Sequence, residues 1–173
     1  MLLCGCPGSG KSTYANKMQK PPEKKVVYIS RDRIREKLRQ PGDDYFAHED
    51  DVLKVYWATI EKSITPENDV VIIDSTNLSP KAREQILKIL TKKKYEIDMQ
   101  VFYFQDSLAT CIARNEKRLG DERVPIEKLK AMYYRFTPFT NAEKAHFRKV
   151  TFYGVIDNIA HPIETYRDGE VIY

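Results

Sequence analysis

The sequence predicts an α/β fold in which helices cover both faces of a parallel sheet. Three observations carry this. Short apolar runs alternate with longer amphipathic stretches, the pattern of successive strand–helix units. One run, Val70 to Asp74, is apolar without alternation, as a strand covered on both faces should be. A glycine-rich stretch, Gly5 to Ser12, falls between the first apolar run and the first helical stretch, at a strand end where such folds bind ligands.

The elements follow in order. Met1 to Cys4 is a short strand. Ser12 to Lys20 is helical and is stopped by Pro21 and Pro22. Val26 to Ser30 is β-branched and aromatic, hence a strand, and its end is expected beside the glycine loop. Arg31 to Gln40 reads as a helix ended by Pro41-Gly42. Phe46 to Ile64 is a second helix, with Val52, Val55, Tyr56, Thr59 and Ile60 at helical spacing. Val70 to Asp74 is the third strand. Ser79-Pro80 opens a helix to about Lys93, a cap residue followed by proline at the first helical position. Glu96 to Phe104 is a strand and Ser107 to Arg118 a helix. The charged loop Leu119 to Val124 leads to Pro125, which opens a helix to about Phe136. Lys149 to Val155 is a further strand. Asp168-Gly169 predicts a terminal hairpin.

The chain has 173 residues, 42% hydrophobic and 31% charged. That suits one domain over residues 1–173 and excludes a disordered chain. The net charge of +4 is compatible with a polyanionic partner and too small to demand one. Cys4, Cys6 and Cys111 match no metal spacing and are expected as reduced thiols in a cytoplasmic protein. No apolar run is long enough for a membrane span, so no membrane partner is expected.

Gly5-Cys6-Pro7-Gly8-Ser9-Gly10-Lys11-Ser12 fits G-x-x-x-x-G-K-[ST] at every fixed position. The glycines let the backbone curl so that successive N–H groups point at one anion. The helix N-terminus adds its dipole. Gly8, Ser9, Gly10, Lys11 and Ser12 are therefore assigned to the phosphates of ATP, with Thr13 as an auxiliary. Lys11 reaches the β- and γ-phosphates, and the Ser12 hydroxyl holds Mg²⁺. The motif and its context specify a P-loop kinase fold.

After the second strand comes Ser30-Arg31-Asp32-Arg33-Ile34-Arg35. An acceptor hydroxyl needs a carboxylate to orient it and take its proton, and Asp32 is the best placed. Arg35, one turn later on the same face, suits an acceptor phosphate. The bland alternative is that Asp32 caps the helix. The third strand ends in Asp74-Ser75-Thr76-Asn77, a Walker B pattern. Asp74 either holds Mg²⁺ through water or orients Asp32 and Arg35, and Thr76 faces the acceptor. Arg114 and Arg118, four apart, project from one helix face ahead of a glycine-containing loop. They form a helical lid, about residues 114–136, that brings cations to the transferring phosphate. Arg123 is a lesser lid candidate.

Together these stretches resemble the kinase domains of the 5′-polynucleotide kinases of T-even bacteriophages. The matching segments are GCPGSGKSTYA from Gly5 to Ala15, Arg31-Asp32 with Arg35, STNLSPKAR from Ser75 to Arg83, and RNEKR followed by VPIEKLKAMY within Arg114 to Tyr133. They keep order and spacing from about Leu2 to Phe136. The glycine loop is shared by many kinases, whereas the lid and the Thr-Asn-Leu-x-Pro stretch are far more specific.

The resemblance implies transfer of the γ-phosphate of ATP, with Mg²⁺, to the 5′-hydroxyl end of DNA or RNA. It makes Asp32 the general base, Lys11 and Ser12 the ligands of the ATP phosphates and Mg²⁺, and Arg35 the contact of the acceptor's 3′-phosphate. Arg118 stabilises the transferring phosphate with Arg114 in support, and Thr76 lines the acceptor site. The family has its acid directly before Thr-Asn-Leu, whereas here Asp74 precedes Ser75. One residue of displacement turns a strand side chain to the other face. The Asp-x-Asp-Gly-Thr motif of the phage phosphatase domain is absent, so a kinase without that activity is expected. The segment from about 141 to 173 matches nothing in the family. The alternative is a small-molecule P-loop kinase. Nucleoside monophosphate kinases share the loop and a Ser–Asp–Arg helix start, but their third strand leads into a glycine–aromatic–proline–arginine turn. A non-catalytic nucleotide switch is the third possibility, against which Asp32 argues.

Overall fold

The computed structural model describes residues 1–19 and 23–172. Seven strands form one sheet: β1 (Leu2–Cys4), β2 (Val26–Ser30), β3 (Val70–Asp74), β4 (Met99–Phe104), β5 (Lys149–Ile156), β6 (Ile159–Arg167) and β7 (Glu170–Ile172). Their order across the sheet is β2-β3-β1-β4-β5-β6-β7. The first five strands are parallel, β6 runs antiparallel to β5, and β7 antiparallel to β6. The end of β2 is therefore not directly beside the glycine loop, as the sequence suggested. β3 lies between β1 and β2, so three strand ends in a row face the same cleft.

The helices are α1 (Lys11–Met18), α2 (Arg31–Leu38), α3 (Glu49–Ser63), α4 (Pro80–Thr91), α5 (Leu108–Glu116), α6 (Ile126–Tyr134) and α7 (Asn141–Lys144). Several stop short of the sequence expectation because their last turns are taken by capping residues: Arg39 after α2, Lys92 after α4 and Lys117 after α5. The expected stop at Lys20, Pro21 and Pro22 lies outside the described residues.

Alternation along β1 splits the interior in two. Leu2 and Cys4 pack with Ile73 and Val101 under Tyr56 and Ile60 of α3 and Ile86, Leu87 and Leu90 of α4. Leu3 points the other way, to Ile72, Phe102 and Phe104, under Tyr14 and Ala15 of α1. Ile60 and Ile86 are fully buried, and truncating either to alanine costs roughly 2–5 kcal/mol. A third cluster, Cys6 with Cys111 and Leu129, ties the glycine loop to α5 and α6.

Residues 141–172 complete the sheet. β5 extends the parallel set beside β4. A turn at Asp157-Asn158, both with positive φ (49° and 61°), reverses the chain into β6. The expected turn at Asp168-Gly169 links β6 to β7. Arg83, fully buried, joins α4 to α7. It pairs with Glu143 and donates to the carbonyls of Asn77, Thr137 and Pro138. Among the described residues, no helix is long and apolar enough to cross a membrane.

Candidate active site

The glycine loop wraps the N-terminus of α1. Gly10, the N-cap, is left-handed (φ 91°) and offers no side-chain cap, so the first-turn N–H groups stay open to an anion. Gly8 (φ 79°) lies against α5, where a Cβ would stand 2.4 Å from the Cys111 carbonyl oxygen. Lys11 is buried and donates from Nζ to the carbonyls of Gly5 (2.9 Å) and Cys6 (2.8 Å). Burial lowers its pKa, against the attraction of Asp74.

Asp74, at the end of β3, meets this loop directly. Its Oδ2 accepts from Ser12 Oγ at 2.9 Å and from the Tyr28 hydroxyl at 2.5 Å. Burial, and after it the Asp74 charge, push the Tyr28 phenol up to about 12. Hydroxyl and carboxylate side by side at the head of a phosphate loop fit Mg²⁺ in donor chemistry. Beyond Asp74 the backbone turns at Asn77 (φ 47°), whose Nδ2 donates to the Leu3 carbonyl at 2.8 Å. The Thr76 carbonyl accepts from Gly5 N at 3.0 Å. The Ser-Thr-Asn stretch thus buttons β3 to the root of the loop.

At the α2 side of the cleft, the helix cap is Ser30, whose side chain accepts from Arg33 N. Asp32 is not the cap, and its side chain is 68% exposed. Arg35 is 6% exposed and gives Nη1 to Asp32 Oδ1 at 2.5 Å and to the Tyr45 hydroxyl at 3.3 Å. Its other nitrogens go to Glu49, Nε to Oε2 at 2.9 Å and Nη2 to Oε1 at 3.1 Å. Glu49 Oε1 also accepts from Arg31. The carboxylate partners of Arg35 are thus Asp32 and Glu49, not Asp74.

A cleft of about 200 Å³ joins these groups. Its wall includes Lys11, Ser12, Asp32, Arg35, Asp74, Thr76, Arg118 and Arg123 among the sequence-predicted residues, with Lys128, Tyr45 and Phe46 added. Gly8, Ser9 and Gly10 form the loop behind Lys11. Thr13 and Arg114 are not part of the wall.

Arg114 and Arg118 do not share a helix face, because α5 ends at Glu116 and Arg118 lies in the turn beyond it. Arg118 faces the cleft and touches the Glu122 carbonyl at 3.5 Å. Arg114 turns away, toward Asp106 (2.5 Å), Asp157 (3.5 Å) and the Gly8 carbonyl (3.4 Å). It fastens the β5–β6 turn to the glycine loop. Buried Asn115 closes the loop between α5 and α6 by bonding both backbone groups of Val124. Among the described residues, Arg118, Arg123 and Lys128 form no ion pair, whereas Arg39 and Asp121 join α2's end to the α5–α6 loop at 2.5 Å.

Sequence reasoning missed Glu49 and Tyr28. Glu49 carried no signal beyond an acid in the first turn of a helix, which by itself only suits the dipole. Tyr28 read as an ordinary strand residue.

Solved structures that share the fold include the following three. Chaetomium thermophilum Kti12 in complex with ADP-AlF3 matches with a TM-score of 0.58 at 19% identity, over 82% of this chain and 81% of that one. A chain of the Pnkp1/Rnl/Hen1 RNA repair complex matches with a TM-score of 0.62 at 23% identity, over 93% of this chain and 47% of that one. A chain of the AvrRxo1-ORF1:AvrRxo1-ORF2 complex with sulphate ions matches with a TM-score of 0.62 at 12% identity, over 99% and 59%. The chain thus spans about half the length of the repair-complex protein. At these identities the likeness is one of fold. The AAA_33 family model, described as an AAA domain, covers residues 1–139, from the first strand through the glycine loop and both acidic strand ends to just past α6. The chain therefore belongs to the AAA_33 family, within the P-loop kinase superfamily.

Proposed function

We propose that the protein is an ATP-dependent kinase that transfers the γ-phosphate to the 5′-hydroxyl end of DNA or RNA. The observation that carries this reading is one cleft shared by an open carboxylate, Asp32, and the phosphate-loop group Lys11–Ser12–Asp74. A switch or binding module has no need of that carboxylate.

Asp32 Oδ1 is occupied by Arg35, which leaves Oδ2 to accept the proton of the attacking hydroxyl. Lys11 exchanges the carbonyls of Gly5 and Cys6 for phosphate oxygens, and Arg118 meets the charge that builds on the γ-phosphoryl group. Ser12 and Asp74 would hold Mg²⁺, which when bound offsets the charge of the β- and γ-phosphates. Thr76 borders the acceptor. The RNA repair setting of one structural neighbour supports a nucleic-acid acceptor, and the ADP-AlF3 in another supports a nucleotide donor. The three free, buried cysteines suit a cytoplasmic setting.

One observation favours a small-molecule acceptor as the second reading. The groove leaving the cleft past Tyr45 and Phe46 is lined by Asp43, Asp44 and Asp121, with Arg123 as the basic residue in its wall and Asp121 paired to Arg39, a balance that offers a phosphate chain little positive charge on that route. Labelled ATP offered with a 5′-hydroxyl oligonucleotide, nucleosides and mononucleotides in parallel separates the two. Label on the oligonucleotide supports the first reading, and label only on a small acceptor supports the second.

A further inference from the structure

We propose that Glu49 is a positioning residue for Asp32, acting through Arg35, and that it fills the place left by the acid displaced from the Ser-Thr-Asn turn. The proposal rests on Asp32 being the base of the reaction, not on which hydroxyl accepts the phosphate.

The geometry forms a chain of three side chains from two helices. Glu49 opens α3, and both of its carboxylate oxygens accept from Arg35. That bidentate grip fixes the plane of the guanidinium. Nη1, pointing the other way, reaches Asp32 Oδ1. Arg35 is almost wholly shielded, whereas Asp32 is mostly open to the cleft. The buried link is thus anchored at Glu49, and the exposed carboxylate takes its orientation from it.

Charge points the same way. Arg31 and Arg35 sit one turn apart on α2, and both bind Glu49. With Asp32 the group holds two cations and two anions. Without Glu49, two guanidinium groups would crowd one carboxylate, and Arg35 would lose the partner that keeps it out of the solvent. Asp74 does not take this place: its Oδ2 accepts from Ser12 and Tyr28, and the bonds of Arg35 go to Asp32, Tyr45 and Glu49 instead.

The same commitment alters the part expected of Arg35. Nε, Nη1 and Nη2 all have partners, so its guanidinium serves Asp32 rather than a phosphate 3′ to the reacting hydroxyl. Arg35→Ala should therefore leave the ratio of rates on 3′-hydroxyl and 3′-phosphate acceptors within about threefold of the parent's, since that guanidinium is committed to Asp32, Tyr45 and Glu49.

The test is a double-mutant cycle with Glu49→Ala and Arg35→Ala, run on whichever acceptor takes the label. Each single variant is expected to lower kcat roughly 10- to 100-fold, part of what a general base supplies, with the KM for ATP within about twofold of the parent. If Glu49 acts through Arg35, the double variant is no slower than Arg35→Ala alone. Glu49→Gln, which keeps the side-chain volume and one acceptor oxygen, guards against a folding defect. It should show a smaller loss that also vanishes in the Arg35→Ala background. Multiplicative losses in the double variant would overturn the positioning role. So would unchanged kcat in both Glu49 variants. A preference above about tenfold for the 3′-phosphate, abolished by Arg35→Ala, would return Arg35 to the phosphate. Label appearing only on a mononucleotide would defeat the polynucleotide reading while the cycle still decides Glu49, and no acceptor at all would defeat both.

Discussion

Ser12 Oγ donates a 2.9 Å hydrogen bond to Asp74 Oδ2, joining the last residue of the glycine loop to the end of the third strand. These positions are 62 residues apart in sequence, and parallel pairing of β1 with β3 brings them together. The bond identifies the pair expected to share a divalent cation. Ser12→Ala should bind ATP in the presence of Mg²⁺ little better than in its absence. Calorimetric titration under both conditions checks this, and a preserved Mg²⁺ effect would remove Ser12 from the metal site.

Tyr28→Phe tests the support of that pair. The substitution deletes the 2.5 Å bond to Asp74 and leaves the ring under Arg33, whose guanidinium carbon stands 4.4 Å from the ring centroid. A hydrogen bond to a charged group contributes about 1.5–3 kcal/mol. The midpoint of thermal unfolding should fall by several degrees, and the Mg²⁺ concentration for half-maximal activity should rise several-fold. An unchanged Mg²⁺ requirement with lowered stability would make Tyr28 purely structural.

The two lid arginines should behave differently, because one faces the cleft and the other faces the β5–β6 turn. Arg118→Ala is expected to lower kcat about 10²- to 10³-fold, the scale of a lost charge-stabilising donor, with ATP affinity changed only a few-fold. Arg114→Ala breaks contacts to Asp106, Asp157 and Gly8. It should weaken nucleotide binding and lower the unfolding midpoint. Steady-state kinetics beside nucleotide titrations separate the two patterns.

Gly8→Ala should abolish nucleotide binding more completely than its size suggests. The new Cβ would stand 2.4 Å from the Cys111 carbonyl in a backbone conformation that alanine avoids. Relief requires moving either the loop or α5. Nucleotide titration and a thermal melt report whether the loop or the whole fold gives way.

Much of this site was legible because its parts are local. The glycine loop, the carboxylates at two strand ends and the Ser79 cap each announce themselves within a few residues. The β3 boundaries agree with the sequence expectation to the residue. Glu49 was not legible because its meaning depends on where α3 starts relative to α2, which no local pattern encodes. The shared face for Arg114 and Arg118 required the helix to continue past Glu116, and the Lys117 cap ends it first. The turn at Asp157-Asn158 escaped because Asp-Asn is a weaker hairpin signal than Asp168-Gly169. Its tie to the glycine loop runs through Arg114, whose partners Asp106 and Asp157 lie far apart in sequence. The Thr-Asn-Leu-x-Pro-x-x-Arg stretch gained a physical explanation. Asn77 holds β1 and Arg83 holds α7, so much of that motif maintains the frame behind the cleft.

The most direct test of the account is the initial rate of label transfer from [γ-³²P]ATP to a 5′-hydroxyl oligonucleotide by the parent protein and by Asp32→Asn, with ATP affinity measured on both. The account predicts label at the oligonucleotide's 5′ end with the parent, and a loss of at least about 100-fold in Asp32→Asn at nearly unchanged ATP affinity. Near-parent transfer by Asp32→Asn, or no transfer to the oligonucleotide by the parent, would contradict it.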